Sequence, residues 1–190
     1  GALVNQVDLP GAGTVAGPIE RPEGGPIVWC VYTDHTTVPE IYSFDARTME
    51  FTLFATPPGV VDVPPVHSQQ VTYTSADGTE VRMFIISPTR TAEKPRPTVL
   101  YGYGGFGIPL SPGYSASVLA WVAAGGVWAV ANLRGGGEEG EQWHRDGMLA
   151  NKQNVFDDFH AAAQYLVDEG WTTTQQLAIN GGSNGGLLVA

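Results

Sequence analysis

The sequence predicts an α/β protein led by an all-β stretch, and three observations predict it. Between 67 and 190, short apolar runs bounded by glycine alternate with amphipathic stretches, a succession of strands and helices. Between 26 and 55, aromatic and β-branched runs recur without a helical period. Near the end, LAINGGSNGGLLVA sets a serine between paired glycines after one more apolar run.

The first 26 residues, with LPGAGTVAGP and ERPEGGP, are expected to give turns and short edges. PIVWCVYT, EIYSF and MEFTLFA then read as strands, with DART as a hairpin turn between the last two. TPPGVVDVPPVHS carries four prolines, which suits an extended crossing between domains. The boundary is expected near Val66, dividing an all-β part, 1–66, from an α/β part, 67–190.

QQVTYTS and EVRMFIIS alternate around SADGT, a hairpin with Asp77 and Gly78 at the turn. PTVLY and GVWAVANLR read as strands buried on both faces. Between them SPGYSASVLAWVAAGG predicts a helix capped by Ser111, with Pro112 at its first position and Gly125 and Gly126 at its end. A second helix is expected from Asn154, with Phe156, Phe159, His160, Ala163, Leu166 and Val167 on its apolar side and Gly170 as its stop. Asp157 and Asp158 suit its positive N-terminal end.

Composition excludes several function classes. Lys and Arg total 9 against 19 Asp and Glu, a net charge of −10, so a phosphate backbone or an anionic membrane would repel the chain. No apolar run approaches the roughly 20 residues that span a bilayer, and the N-terminal stretch lacks the pattern of a signal peptide. The single cysteine, Cys30, cannot form an internal disulfide and reads as a small core residue. Gly1 in place of Met, and a helix just opening at Ala190, read as cut ends.

The glycines around Ser183 have a mechanical reason to be there. Lifting a serine oxygen above a sheet demands a sharp, strained turn between strand and helix, with little room two residues to either side. Gly181 and Gly185 supply that room, flanked by Gly182 and Gly186, and the following helix points free N–H groups at the serine. The plain alternative is a glycine-rich turn with an incidental serine. In YGYGGFG, Gly102, Gly104 and Gly107 fit a dinucleotide loop, but IPLSP intervenes where a helix should open and no acidic residue follows at the ribose position. The loop suits half of an oxyanion hole better. Glu141 and His144 have a metal-ligand spacing without a second copy, in a stretch that reads as a solvated or domain-facing loop. His35, His67 and His160 fall on a β segment, a linker and a helix, where surface or core roles are the default.

YGYGGFG, ANLRGGGEEGEQWH, ANKQNVFDDF and INGGSNGG, in this order and at these distances, closely resemble the prolyl oligopeptidases from about Val71 to Ala190. Upstream, VDLPGAGTV and the β runs look like the end of that family's seven-bladed propeller. The resemblance implies an α/β-hydrolase fold, here truncated just after the nucleophile elbow, preceded by the all-β end of a β-propeller domain. It implies a serine endopeptidase that cleaves short peptides after proline, monomeric and cytoplasmic, with no cofactor or metal. By the same resemblance Ser183 is the nucleophile, the Asn184 backbone N–H and the Tyr103 hydroxyl are the oxyanion donors, and Phe106 lines the proline pocket. Relatives that cut after basic residues typically carry alanine where this chain has Asn184, which favours the proline-specific branch. A non-catalytic module that keeps the hydrolase shape is the alternative from another class. No Asp or His follows Ser183, so the isolated chain is expected to be inactive and poorly stable.

Overall fold

The aromatic and β-branched runs between 27 and 55 become strands that pair with their sequence neighbours. In the computed structural model, which describes residues 2–3, 6–59 and 64–190, the chain divides into two compact units. One is Gly1–Val63 with Ser111–Ser115, the other Pro64–Leu110 with Ala116–Ala190. The 60–63 part of the expected crossing lies outside the described residues.

The first unit is an antiparallel meander of β1 (Thr14–Glu20), β2 (Ile27–Thr33), β3 (Glu40–Asp45) and β4 (Glu50–Ala55) in that spatial order. The DART hairpin forms as expected, with Asp45 accepting the Arg47 N–H at 2.9 Å. Cys30 is buried within β2, and burial pushes its thiol pKa up. The glycine- and proline-rich start, expected to give turns and short edges, contains a seven-residue strand at the sheet edge. Proline is tolerated there because β1 is an edge strand, and its pairing with β2 breaks register between Ala16 and Ile19.

The second unit holds β5 (His67–Thr74), β6 (Glu80–Ser87), β7 (Thr98–Gly102), α1 (Ala116–Ala123), β8 (Val127–Ala131), α2 (Glu141–Arg145), α3 (Gln153–Asp168), β9 (Leu177–Asn180) and α4 (Asn184–Val189). Its sheet runs β5-β6-β8-β7-β9. β5, β6 and β8 pair antiparallel, whereas β7 lies parallel to both β8 and β9. Asp77 and Gly78 make the β5–β6 turn, where Gly78 has φ 88° and Asp77 accepts the Thr79 N–H at 3.0 Å. His67 is the first residue of β5 rather than part of a linker.

Four expectations are corrected here. The helix after β7 opens at Ala116, not at Pro112, because the preceding segment is engaged with the meander: Thr14 donates its hydroxyl to the Pro112 carbonyl at 2.6 Å and Thr33 Oγ1 accepts the Tyr114 N–H at 3.3 Å. β7 and β8 alternate between fully and partly buried residues instead of being buried on both faces. Leu100, Val127, Ala129 and Ala131 point into the main core with Phe159, Ala162 and Leu166 of α3. On α3 the buried face is Val155, Asp158, Phe159, Ala162 and Leu166, one step round from the expected stripe, and His160 is exposed. Asp157 and Asp158 sit beyond the first turn, past the reach of the helix dipole.

Because β7, β8 and β9 are parallel and in register, with Gly102 beside Ala131 and Tyr101 beside Asn180, their C-terminal ends leave the same edge of the sheet. The loops that follow them carry the three glycine clusters, YGYGGFG, LRGGG and GGSNGG. The carboxyl edge of parallel strands is where α/β proteins build their sites.

Candidate active site

Ser183 occupies the turn between β9 and α4 with φ 56° and ψ −116°, and is exposed. A side-chain-bearing residue in that region is strained, by about 1–3 kcal/mol, and persists only where its surroundings dictate it. The surroundings are the flanking glycines. A Cβ on Gly181 would lie 2.2 Å from the Gly185 carbonyl oxygen, and a Cβ on Gly185 would lie 2.5 Å from the Gly102 carbonyl oxygen. Gly182 and Gly186 are not constrained in this way, for a Cβ on Gly182 meets nothing within 4 Å and one on Gly186 meets only the Gly181 oxygen at 4.0 Å. Leu188, buried among the β7 and α3 core residues, anchors the short helix that follows.

The loop after β7 lies directly against this turn. Tyr103 and Asn184 are joined by a hydrogen bond from Asn184 Nδ2 to the Tyr103 carbonyl. The Asn184 amide occupies the space a side chain would need at Gly105, where a Cβ would sit 2.5 Å from Nδ2. The Asn184 backbone N–H is the first of α4, and the first N–H groups of a helix have no partner within it. Phe106 is in the left-handed region with φ 55°, in a turn closed by the Ile108 N–H donating to the Gly105 carbonyl at 3.1 Å, and the residue is 75% exposed. Thus Ser183, Asn184 and Tyr103 come together, and Phe106 projects from the same loop as Tyr103.

The LRGGG loop locks the YGYGGFG loop in place. A Cβ on Gly135 would lie 2.6 Å from the Gly104 oxygen, so the two loops pack backbone on backbone. The Gly135 carbonyl accepts the Gly107 N–H at 3.0 Å and the His144 Nδ1–H at 2.9 Å. His144 lies on α2, a short helix where a solvated or domain-facing loop was expected, and Glu141 is held by Arg145 at 2.9 Å. The spacing that resembled a metal-ligand pair therefore serves a loop contact and an ion pair.

Two residues near the site, Arg134 and Lys152, were not singled out from the sequence, and Asp158 was read only as favouring a helix N-terminus. Arg134, at the start of the LRGGG loop, is nearly buried and makes a two-pronged ion pair with the fully buried Asp158, at 2.6 Å from Nη2 and 3.0 Å from Nε. Asp158 also accepts the Arg134 N–H at 3.1 Å and the Ser75 hydroxyl at 2.6 Å. Asp77 adds a contact to Arg134 Nη1 at 2.6 Å, and that guanidinium holds the Asp77 carboxyl well below the usual carboxylate range. The signal for Asp158 was its place on the apolar face of a helix, three residues after Val155, where a charge demands a buried partner. Lys152, just before α3, reaches the Gly104 carbonyl at 2.7 Å and Asn184 Oδ1 at 3.3 Å, and burial lowers its pKa. A lone lysine in ANKQN gave no such indication.

Among the described residues no helix is long and apolar enough to cross a membrane. Residues 112–190 match the family model described as the prolyl oligopeptidase family. The prolyl endopeptidase of Elizabethkingia miricola is 40% identical over 190 residues, all of this chain and 27% of that protein. A solved prolyl endopeptidase chain superposes with a TM-score of 0.91 at 45% identity, covering 98% of this chain and 28% of its own. A solved post-proline cleaving enzyme from Rickettsia typhi gives a TM-score of 0.84 at 31% identity, over 96% of this chain and 26% of its own. The chain therefore spans about a quarter of the length of the relatives it matches. On sequence and structure alike, the chain is similar to members of the prolyl oligopeptidase family.

Proposed function

We propose that the chain is part of a longer serine endopeptidase that cleaves short peptides on the carboxyl side of proline. Ser183 is the nucleophile: its oxygen adds to the scissile carbonyl carbon while its proton passes to a histidine, itself held by a carboxylate, both contributed from outside residues 1–190. The tetrahedral oxyanion is held by the Asn184 N–H and the Tyr103 hydroxyl. The amine leaves with the transferred proton, and water then releases the acyl group from Ser183. The exposed Phe106 ring serves as an apolar wall for the proline ring. In this reading residues 1–66 are the end of a propeller domain, with the β1–β4 meander as blade material, and 67–190 are the first part of an α/β-hydrolase domain.

The single observation that carries the proposal is the strained backbone of Ser183, at φ 56°, wedged by Gly181 and Gly185 at the carboxyl edge of the parallel strands. Post-proline specificity draws on the compact apolar character of Phe106, which offers nothing to a guanidinium, and on the named specificity of the Rickettsia typhi relative. Two measurements test it. A serine-directed fluorophosphonate should label the longer protein at Ser183 and leave the isolated 190-residue chain unlabelled. Paired fluorogenic peptides differing only in Pro or Arg before the scissile bond should be cut faster after Pro. Labelling elsewhere, or equal cleavage after Arg, would overturn the assignment or its specificity respectively.

A further inference from the structure

Lys152 lies between a 3-10 turn, Leu149–Asn151, and the first residue of α3, so its backbone is fixed on both sides. Its ammonium has donors only, and it meets two oxygens: the Gly104 carbonyl at 2.7 Å and Asn184 Oδ1 at 3.3 Å. The lysine thereby fixes which way the Asn184 amide points. With Oδ1 turned to the ammonium, Nδ2 must face the Tyr103 carbonyl, and that is the bond observed. Gly105 leaves the space that admits the amide. Lys152 and Asn184 together form a three-point clasp: one cation and one amide hold two consecutive carbonyls, of Tyr103 and Gly104, against the turn that bears Ser183.

We propose that Lys152 is a positioning residue for the oxyanion site, acting through the Asn184 side chain to hold the Tyr103 loop in one frame with the Ser183 turn. This rests on the reading of Ser183 as nucleophile and of Tyr103 and the Asn184 N–H as oxyanion donors. Those donors come from segments 81 residues apart in the chain, and a hydrogen-bond donor misplaced by an ångström forfeits much of its effect on the transition state. The half-buried ammonium loses hydration, which is why its pKa is lowered, and the two oxygens compensate for that loss. A cation placed here without such a role would be better left in water.

The test uses the longer protein with Lys152→Met, Asn184→Ala, the double variant and Ser183→Ala. Lys152→Met should lower kcat on a proline-containing peptide by about 10-fold or more, with KM changed by less than about 2-fold. Asn184→Ala should do the same. If the lysine acts through the amide, the double variant should be little worse than either single one, a non-additivity that a merely structural lysine would not produce. Should Lys152→Met fail to fold, Asn184→Asp gives a second reading. It keeps an oxygen for the ammonium but turns a carboxylate oxygen toward the Tyr103 carbonyl, and it should lower kcat with Tm held. Wild-type kcat in Lys152→Met or Asn184→Asp, or fully additive losses in the double variant, would overturn the proposal while loss of turnover in Ser183→Ala leaves the nucleophile standing. Turnover persisting in Ser183→Ala would remove the nucleophile and this proposal with it.

Discussion

Replacing Gly185 by alanine in the longer protein puts a methyl carbon 2.5 Å from the Gly102 carbonyl oxygen. Relief requires a shift of about 0.5 Å or more, and the cost of such overpacking is about 1–3 kcal/mol. The obstacle is backbone, and it belongs to β7, which is hydrogen-bonded on both sides by β8 and β9. The strand cannot yield, so α4 and the Ser183 turn must move away from the Tyr103 loop. A displacement of that size at a catalytic turn should lower kcat/KM by about 10- to 100-fold. Gly182→Ala is the matched control for stability, since a Cβ there meets nothing within 4 Å. Thermal unfolding should show a lowered Tm for Gly185→Ala and an unchanged one for Gly182→Ala, and a proline-containing fluorogenic peptide reports kcat/KM. Wild-type Tm and turnover in Gly185→Ala would refute the argument, as would an equal loss of Tm in the Gly182 variant.

Further expectations follow from the same contacts. Tyr103→Phe should lower kcat by about 10²- to 10³-fold with little change in KM, and an unchanged kcat would remove the hydroxyl from the mechanism. Asp158→Ala leaves the nearly buried Arg134, among the described residues, with the half-exposed Asp77 as its one counter-ion, and urea unfolding should register a loss of about 3–5 kcal/mol; a loss below about 1 kcal/mol would contradict the buried-pair reading. Asp77 has a carboxyl pKa lowered chiefly by its hydrogen bonds to Arg134, so its stabilisation is present above the unfolded value of about 4 and is lost as the pH falls through the folded one. The stability gap between wild type and Asp77→Asn should thus be widest near neutral pH and close on acidification. A gap that widened below about pH 4 would reverse the sign of that account.

What the sequence determined by itself is local. Strand and helix order, the two hairpin turns and the serine set in its glycine turn follow from periodicity and from residues whose backbone preferences act within a few positions. Gly181 could be singled out because its obstacle, the Gly185 carbonyl, lies within the same turn, whereas the obstacle at Gly185 is the Gly102 carbonyl of β7, which the spacing of the turn does not reveal. Where the chain's preferences were set by distant partners, the sequence misled or was silent. Ser111 and Pro112 look like a helix start, yet Thr14 bonds the Pro112 carbonyl and Thr33 takes the Tyr114 N–H, and the helix waits until Ala116. The α3 stripe was read one step off because Asp158, a charge, occupies a core position that Arg134 and the Ser75 hydroxyl make tenable. The strand order β5-β6-β8-β7-β9 brings three glycine loops to one edge, and with them Lys152, Asn184 and Tyr103 into hydrogen-bonding distance. Hydrogen bonds and ion pairs between segments depend on where the backbone carries each group, and that is decided only when the sheet has formed.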